Sequence, residues 1–172
     1  MSIHPKTSMG YVHYTVRDLD KQIAFYRDLL GFRLLWREGD VASLGTETRE
    51  LLRLTADETA GRDRRSTGLY HTALLVPTRW DLAHWVRRII ETRTPVQGTS
   101  NHGTHLAIYL PDPEGNGVEL AWDFPPEQWP MRDGKWVLEA MPREGVDIEA
   151  LLLELEKDQR QWQGIDGDTR IG

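Results

Sequence analysis

An α+β fold of two tandem βαβββ modules, followed by a strap and a C-terminal helix, is the architecture this sequence predicts. Three observations predict it. Strand-like and helix-like periodicities recur in the same order twice, at a period of about 60 residues. The first strand of each copy carries one histidine, His13 and His71. Each following helix is opened by its own capping residues.

In module one (8–57), "SMGYVHYTV" is a β-rich run ending at Val16. The helix after it, "RDLDKQIAFYRDLLGF", repeats Leu19, Ile23, Tyr26 and Leu30 at helical spacing, is opened by an Asp and is closed by Gly31 at the left-handed cap position. "RLLWREGDVASLGTETRELLRLT" is interrupted by "EGD" and "GTET", which divides it into three short strands. The polar, glycine-containing "ADETAGRDRRSTG" reads as a linker.

Module two (68–123) repeats the order. "GLYHTALLV" is a strand, and "PTRWDLAHWVRRIIETR" is a helix with Thr78 and Asp81 spaced as a capping box and Leu82, Trp85 and Ile89 on one face. "PVQGTSNHG", "THLAIYLPD" and "GNGVELAWD" supply three more strands. Residues 1–125 thus form one two-module domain. Residues 126–172 comprise a Pro- and Trp-rich irregular strap, an amphipathic helix with Ile148, Leu151, Leu152 and Leu155 on one stripe, and a tail whose "TRIG" echoes residues 7–10 as though a third module began.

Composition narrows the function. With 172 residues, 39% hydrophobic and 28% charged, the chain has a globular balance. A net charge of −6 argues against nucleic acid and against an anionic lipid surface. No run approaches the ~20 apolar residues of a membrane span, and "MSIHPKTSMG" lacks the apolar segment of a signal peptide, so a cytoplasmic protein is expected. Cysteine is absent from the sequence, which leaves His, Asp, Glu and water as the only metal ligands and suits Fe(II), Mn(II), Zn(II) or Ni(II).

His13, His71 and Glu119 are the candidate metal ligands. An isolated strand histidine is ordinarily a core or edge residue satisfied by a carbonyl; here the repeat puts one at the equivalent point of each module. Val118, Leu120 and Trp122 alternate as a buried strand face, so Glu119 lies on the opposite face, where a buried carboxylate requires a cation or a proton. Two histidines and one carboxylate on one side of a metal leave positions open for substrate and O2, as in non-haem Fe(II) oxygenases.

The paired modules, "GYVHYTV", "LYHTALLV", "AFYRDLLGF" and above all "LPDPEGNGVEL" resemble the vicinal oxygen chelate superfamily, which includes glyoxalase I, extradiol ring-cleavage dioxygenases and bleomycin-resistance proteins. The resemblance covers residues 8–123 and implies a cupped mixed sheet around a metal. Beyond 123 the chain is similar to bacterial two-domain catechol 2,3-dioxygenases, in which the corresponding helix leads to a second pair of modules, so the match is to their N-terminal half.

By this resemblance His13, His71 and Glu119 occupy the Fe(II) site of an extradiol dioxygenase acting on a catechol or related vicinal-oxygen aromatic with O2. His102 and Tyr109 look like that group's catalytic His and Tyr, beside the substrate and oxygen. Glyoxalase I adds a fourth ligand from the last strand of its other half; here that strand is "RELLRL", with Glu47 and Glu50 its only nearby carboxylates. The well-studied ring-cleaving enzymes carry a further acid-base His near "RLTADETAG", where this chain offers only Asp57 and Glu58.

His105 is expected on the strand face opposite His102, His84 is expected to be solvated, and Trp36 or Trp122 could wall an aromatic pocket. The rival readings are a metal-dependent lyase or isomerase, a binding protein that sequesters an aromatic drug, and a fragment of a longer protein. A homodimer is expected if an apolar surface is left where a second pair of modules would sit.

Overall fold

The computed structural model describes residues 2–61, 68–142 and 144–157. The chain clusters into two compact units, Met1–Ser66 and Thr67–Gly172.

The first unit holds β1 (Val12–Val16), α1 (Leu19–Ala24), β2 (Arg33–Glu38), β3 (Val41–Gly45) and β4 (Glu50–Ala56). Asp18 starts the helix by accepting from Lys21 N at 3.0 Å. The sequence predicts a single α-helix to Leu30, but its second half, Phe25–Leu29, winds as a π-helix, with Leu30 N bonded to Phe25 O. A difference of about one residue per turn is invisible to apolar spacing over a single turn. Gly31, at φ 77°, ends the helix, its N–H bonded to Arg27 O.

The four strands form one sheet in the order β1-β4-β3-β2, with β1 parallel to β4 and the other pairs antiparallel. Val16, Ala42, Leu44, Leu52 and Leu54 are buried on the face that α1 covers. On the other face His13, Arg53, Ser43 and Trp36 stand in one cross-strand row. Arg53 makes a two-pronged pair with Glu50 at 2.8 and 2.7 Å and lies 4.0 Å from the Tyr11 ring centroid.

The second unit repeats the plan with β5 (His71–Leu75), α2 (Arg79–Glu91), β6 (Gly98–Asn101), β7 (His105–Pro111) and β8 (Gly117–Asp123), in the order β5-β8-β7-β6. The capping box forms as the sequence predicts: Thr78 Oγ1 accepts from Asp81 N, and Asp81 Oδ2 accepts from Thr78 N. Leu82, Trp85, Val86 and Ile89 of α2 share the core with Leu106, Ile108, Leu110, Val118 and Leu120. Each such fully buried aliphatic side chain contributes about 1.5–3 kcal/mol.

Strand alternation sends His105, Tyr109 and Glu119 to the face away from α2, and Trp122 to the α2 side, so Trp122 does not wall a pocket beside Glu119. The β7–β8 turn is organised by Asp112, which is 4% exposed. Its carboxylate accepts from Glu114 N, Asn116 N and Asn116 Nδ2 at 2.8–2.9 Å.

The strap is less irregular than expected. It contains a short hairpin of β9 (Met131–Arg132) and β10 (Lys135–Trp136), turned by Asp133 and Gly134, both at positive φ. Trp129 stacks on Trp136, and its Nε1–H donates to Phe124 O. α3 (Ile148–Lys157) then packs on α2, with Leu151 fully buried and Arg79 paired to Glu154 at 3.0 Å. The "TRIG" tail lies outside the described residues. Among the described residues no helix is long and apolar enough to cross a membrane.

Replacing Asp112 with Ala leaves two backbone N–H groups and an amide without their acceptor, so urea unfolding should show a loss of about 1–3 kcal/mol. Asp112→Asn, which keeps one oxygen, should lose less. The Arg53 hydrogen bond, helped by its charge, holds the Glu50 carboxyl below its ordinary value. A carboxyl lowered in the folded state stabilises above its unfolded pKa and ceases to as pH falls. Glu50→Gln should therefore destabilise the chain at neutral pH, with the gap to wild type closing as denaturation is repeated down through the carboxylate range.

Candidate metal centre

The site grows from β8. Gly117 lies in register with His71 on the parallel neighbour β5, and a Cβ at Gly117 would fall 2.5 Å from Tyr70 O and 3.0 Å from His71 Cβ. The glycine allows β8 to run flush against β5 at this point. Two residues on, Glu119 pairs with Ala73 on one side and Tyr109 on the other, and the small Ala73 leaves room beside the carboxylate.

Glu119 is 5% exposed. Its Oε2 lies 2.7 Å from His71 Nε2, while its Oε1 accepts from the Tyr109 hydroxyl at 3.1 Å and lies 3.3 Å from His105 Nε2. His102 Nε2 is 2.9 Å from the Tyr109 hydroxyl, and the His102 and His105 rings stack with centroids 4.5 Å apart. Among the described residues no Lys or Arg pairs with Glu119. A carboxylate removed from water and faced by imidazoles rather than a fixed cation is a donor set suited to a divalent metal. His102, His105 and Glu119 each present a ligand atom within 4.8 Å of the others, so the group is compact enough to hold an ion.

Burial sets the protonation of the neighbouring groups. It pushes the Tyr109 phenol up to about 12, with the Glu119 charge and hydrogen bond acting in the same direction. The His102 imidazole is held below its ordinary value, first by burial and then by repulsion from His105, against the opposing pull of Glu119. At neutral pH Tyr109 is a hydrogen-bond donor, and His102 is biased toward its neutral form.

His71, His102, Tyr109 and Glu119 therefore lie together on one sheet face of the second unit. His13 lies on β1 of the first unit, where its Nε2 is 2.8 Å from Thr55 Oγ1. The two sheets make the counterpart explicit. Thr55 pairs with Thr15, two residues after His13, as Glu119 pairs with Ala73, two residues after His71. Thr55 is thus the internal equivalent of Glu119, and the first module has a hydroxyl where the second has a carboxylate. Glu47 and Glu50 are each paired with an arginine, Arg33 and Arg53.

Two sequence expectations change, and a third residue is found engaged. His105 does not face away from His102: a turn at Gly103 (φ 74°) separates His102 from β7, which begins at His105, so strand alternation does not link them. His84 is buried rather than solvated, 3.9 Å from the Trp80 ring centroid and with Nδ1 3.0 Å from Arg87. Asp57 is occupied as a turn acceptor for Thr59 N and Oγ1. The parity of His105 with Tyr109 and Glu119 was the available signal for its place in the site.

The model of the glyoxalase/bleomycin resistance protein/dioxygenase superfamily matches residues 8–120. The catechol-2,3-dioxygenase of Bacillus subtilis (strain 168) is 34% identical to 99% of this chain, and the biphenyl-2,3-diol 1,2-dioxygenase 3 of Rhodococcus globerulus is 30% identical to 72% of it. The chain spans 59% and 66% of the lengths of these two relatives. Among solved structures, a glyoxalase/dioxygenase from Nostoc punctiforme has the same fold, with a TM-score of 0.62 at 19% identity over 73% of this chain and 98% of that one. On the family match, the repeated βαβββ units and the relatives together, this chain belongs to the glyoxalase/bleomycin resistance protein/dioxygenase superfamily.

Proposed function

We propose that the chain is a metal-dependent dioxygenase of the extradiol ring-cleaving type, with Fe(II) as its metal and a catechol or related vicinal-oxygen aromatic and O2 as its substrates. The observation that carries this reading is Glu119, a buried strand carboxylate held by two imidazoles and a phenol with no arginine or lysine pairing it among the described residues. The proposed ligands are His71 and Glu119 with His13, the residue at the equivalent position of the first repeat. Support for His13 comes from that repeat and from the family resemblance. Mn(II), Ni(II) and Zn(II) suit the same donors and are separated from Fe(II) by metal analysis.

Thr55 favours this reading over a four-ligand glyoxalase. The position that would supply a second carboxylate carries a hydroxyl instead. The names of the two curated relatives, both dioxygenases of aromatic diols, point the same way.

When bound, Fe(II) supplies a place where the two oxygens of a catechol and O2 meet and through which electron density can pass from ring to oxygen. The protein orients the partners. Tyr109 keeps its proton on the hydroxyl and can turn it from Glu119 Oε1 to a substrate oxygen, and His102 Nε2, 2.9 Å from that hydroxyl, can receive or return a proton there. The Tyr70 ring, 5.0 Å from His71, adds an aromatic surface against which a flat substrate can lie.

Mass spectrometry of metal in protein purified without chelator should find near-stoichiometric iron in the wild type. His71→Ala, Glu119→Ala and His13→Ala should each lose it. Absence of metal even after anaerobic Fe(II) loading would refute the proposal. In an oxygen electrode, catechol turnover should consume one O2 per substrate. His102→Ala and Tyr109→Phe, with metal retained, should lower kcat by about 10²-fold or more. Turnover that persists without O2 would instead identify a lyase or isomerase.

A further inference from the structure

We infer that Glu119 serves two ion positions: beside the one its Oε2 shares with His71, its Oε1 forms a second divalent-cation site with His102 and His105, and Zn(II) bound there inhibits the enzyme. The site rests on the second unit alone, whereas the inhibition rests on the function proposed above.

The two oxygens of the buried carboxylate meet different groups. Oε2 lies 2.7 Å from His71 Nε2, and Oε1 lies 3.3 Å from His105 Nε2. The second distance lies beyond the usual hydrogen-bond range of about 2.7–3.2 Å. It matches instead the separation of two ligand atoms on one tetrahedral ion, about 3.3 Å for metal bonds of about 2.0–2.1 Å. His105 Nδ1 is 2.9 Å from Thr104 Oγ1, a hydroxyl that can accept a hydrogen from Nδ1 and leave Nε2 with its lone pair. The His102 ring stacks on His105 with planes 29° apart, and one ligand atom each from His102, His105 and Glu119 lie within 4.8 Å of one another. Two imidazoles and a carboxylate, with water as a fourth ligand, suit Zn(II).

The Tyr109 hydroxyl now bridges this group, 3.1 Å from Glu119 Oε1 and 2.9 Å from His102 Nε2. An ion held by both takes over that bridge. The His102 lone pair is then committed to the metal and the phenol loses its acceptor, so no proton passes between Tyr109 and His102. Iron on the Oε2 side stays in place.

The test adds Zn(II) to the full chain after anaerobic Fe(II) loading and follows zinc uptake, iron content and O2 consumption. The wild type should take up about one further equivalent of zinc, keep its iron and lose roughly 10-fold or more in catechol turnover. His105→Phe keeps a flat ring without a ligand atom, and should keep its iron while binding Zn(II) roughly 10-fold more weakly or worse. No zinc uptake by the iron-loaded wild type, zinc that enters only as an equal amount of iron leaves, wild-type zinc affinity in His105→Phe, or full turnover with the extra zinc bound each overturns the inference. Should His105→Phe fail to fold, His102→Ala takes its place with the same outcomes. A wild-type chain that takes up no Fe(II) overturns the proposed function and the inhibition with it. The second site is then read in His71→Ala, which should bind about one zinc and lose it when His105→Phe is added; zinc retained in that double variant overturns the site itself.

Discussion

The structure of the second unit is organised around one expensive group, the Glu119 carboxylate buried in the middle of a strand. An ionised carboxyl out of water is tolerated only when polar hydrogens or a cation take over the role of solvent. Here the Tyr109 hydroxyl donates to it from the antiparallel strand, while the His71 ring on the parallel strand and the His105 ring at the start of β7 lie 2.7 and 3.3 Å from its oxygens. The backbone is adapted to that arrangement. Gly117 admits β5 at close range, Ala73 leaves space beside the carboxylate, and the Asp112 turn sets where β8 begins.

Duplication explains why such a site can arise in a small chain. The same βαβββ unit, folded twice, places a histidine on the first strand and a polar residue two positions along the paired strand in each copy. In the first copy these are His13 and Thr55, joined by one hydrogen bond of 2.8 Å. In the second they are His71 and Glu119, an imidazole and a carboxylate with metal-binding capacity. The repeated position thus differs by a hydroxyl in one copy and a carboxylate in the other.

The first unit spends its charge differently. Arg53 is bonded to Glu50 through two nitrogens and lies over the Tyr11 ring, so both members of the ion pair already have partners. Glu47 and Glu50 are paired with arginine, whereas the Glu119 carboxylate of the second unit is met by imidazoles and a phenol, groups that can exchange partners. Arginine cannot release its proton, and imidazole and phenol can share theirs.

The sequence by itself determined the strand and helix order, the repeat, the capping box at Thr78 and the face on which Glu119 lies, because these depend on periods of two and of about 3.6 and on local capping chemistry. It could not reveal the π-helical turn at Phe25–Leu29, since one turn of wider winding leaves the apolar spacing almost unchanged. Nor could it stack His105 on His102 or bury His84. The positive φ of Gly103 breaks the alternation that would otherwise relate His102 to His105, and the packing of Trp80 and Arg87 removes His84 from water. Which atoms of the histidines meet which oxygen of Glu119 was decided by tertiary structure alone, because strand register and the close approach at Gly117 set distances between residues far apart in the chain.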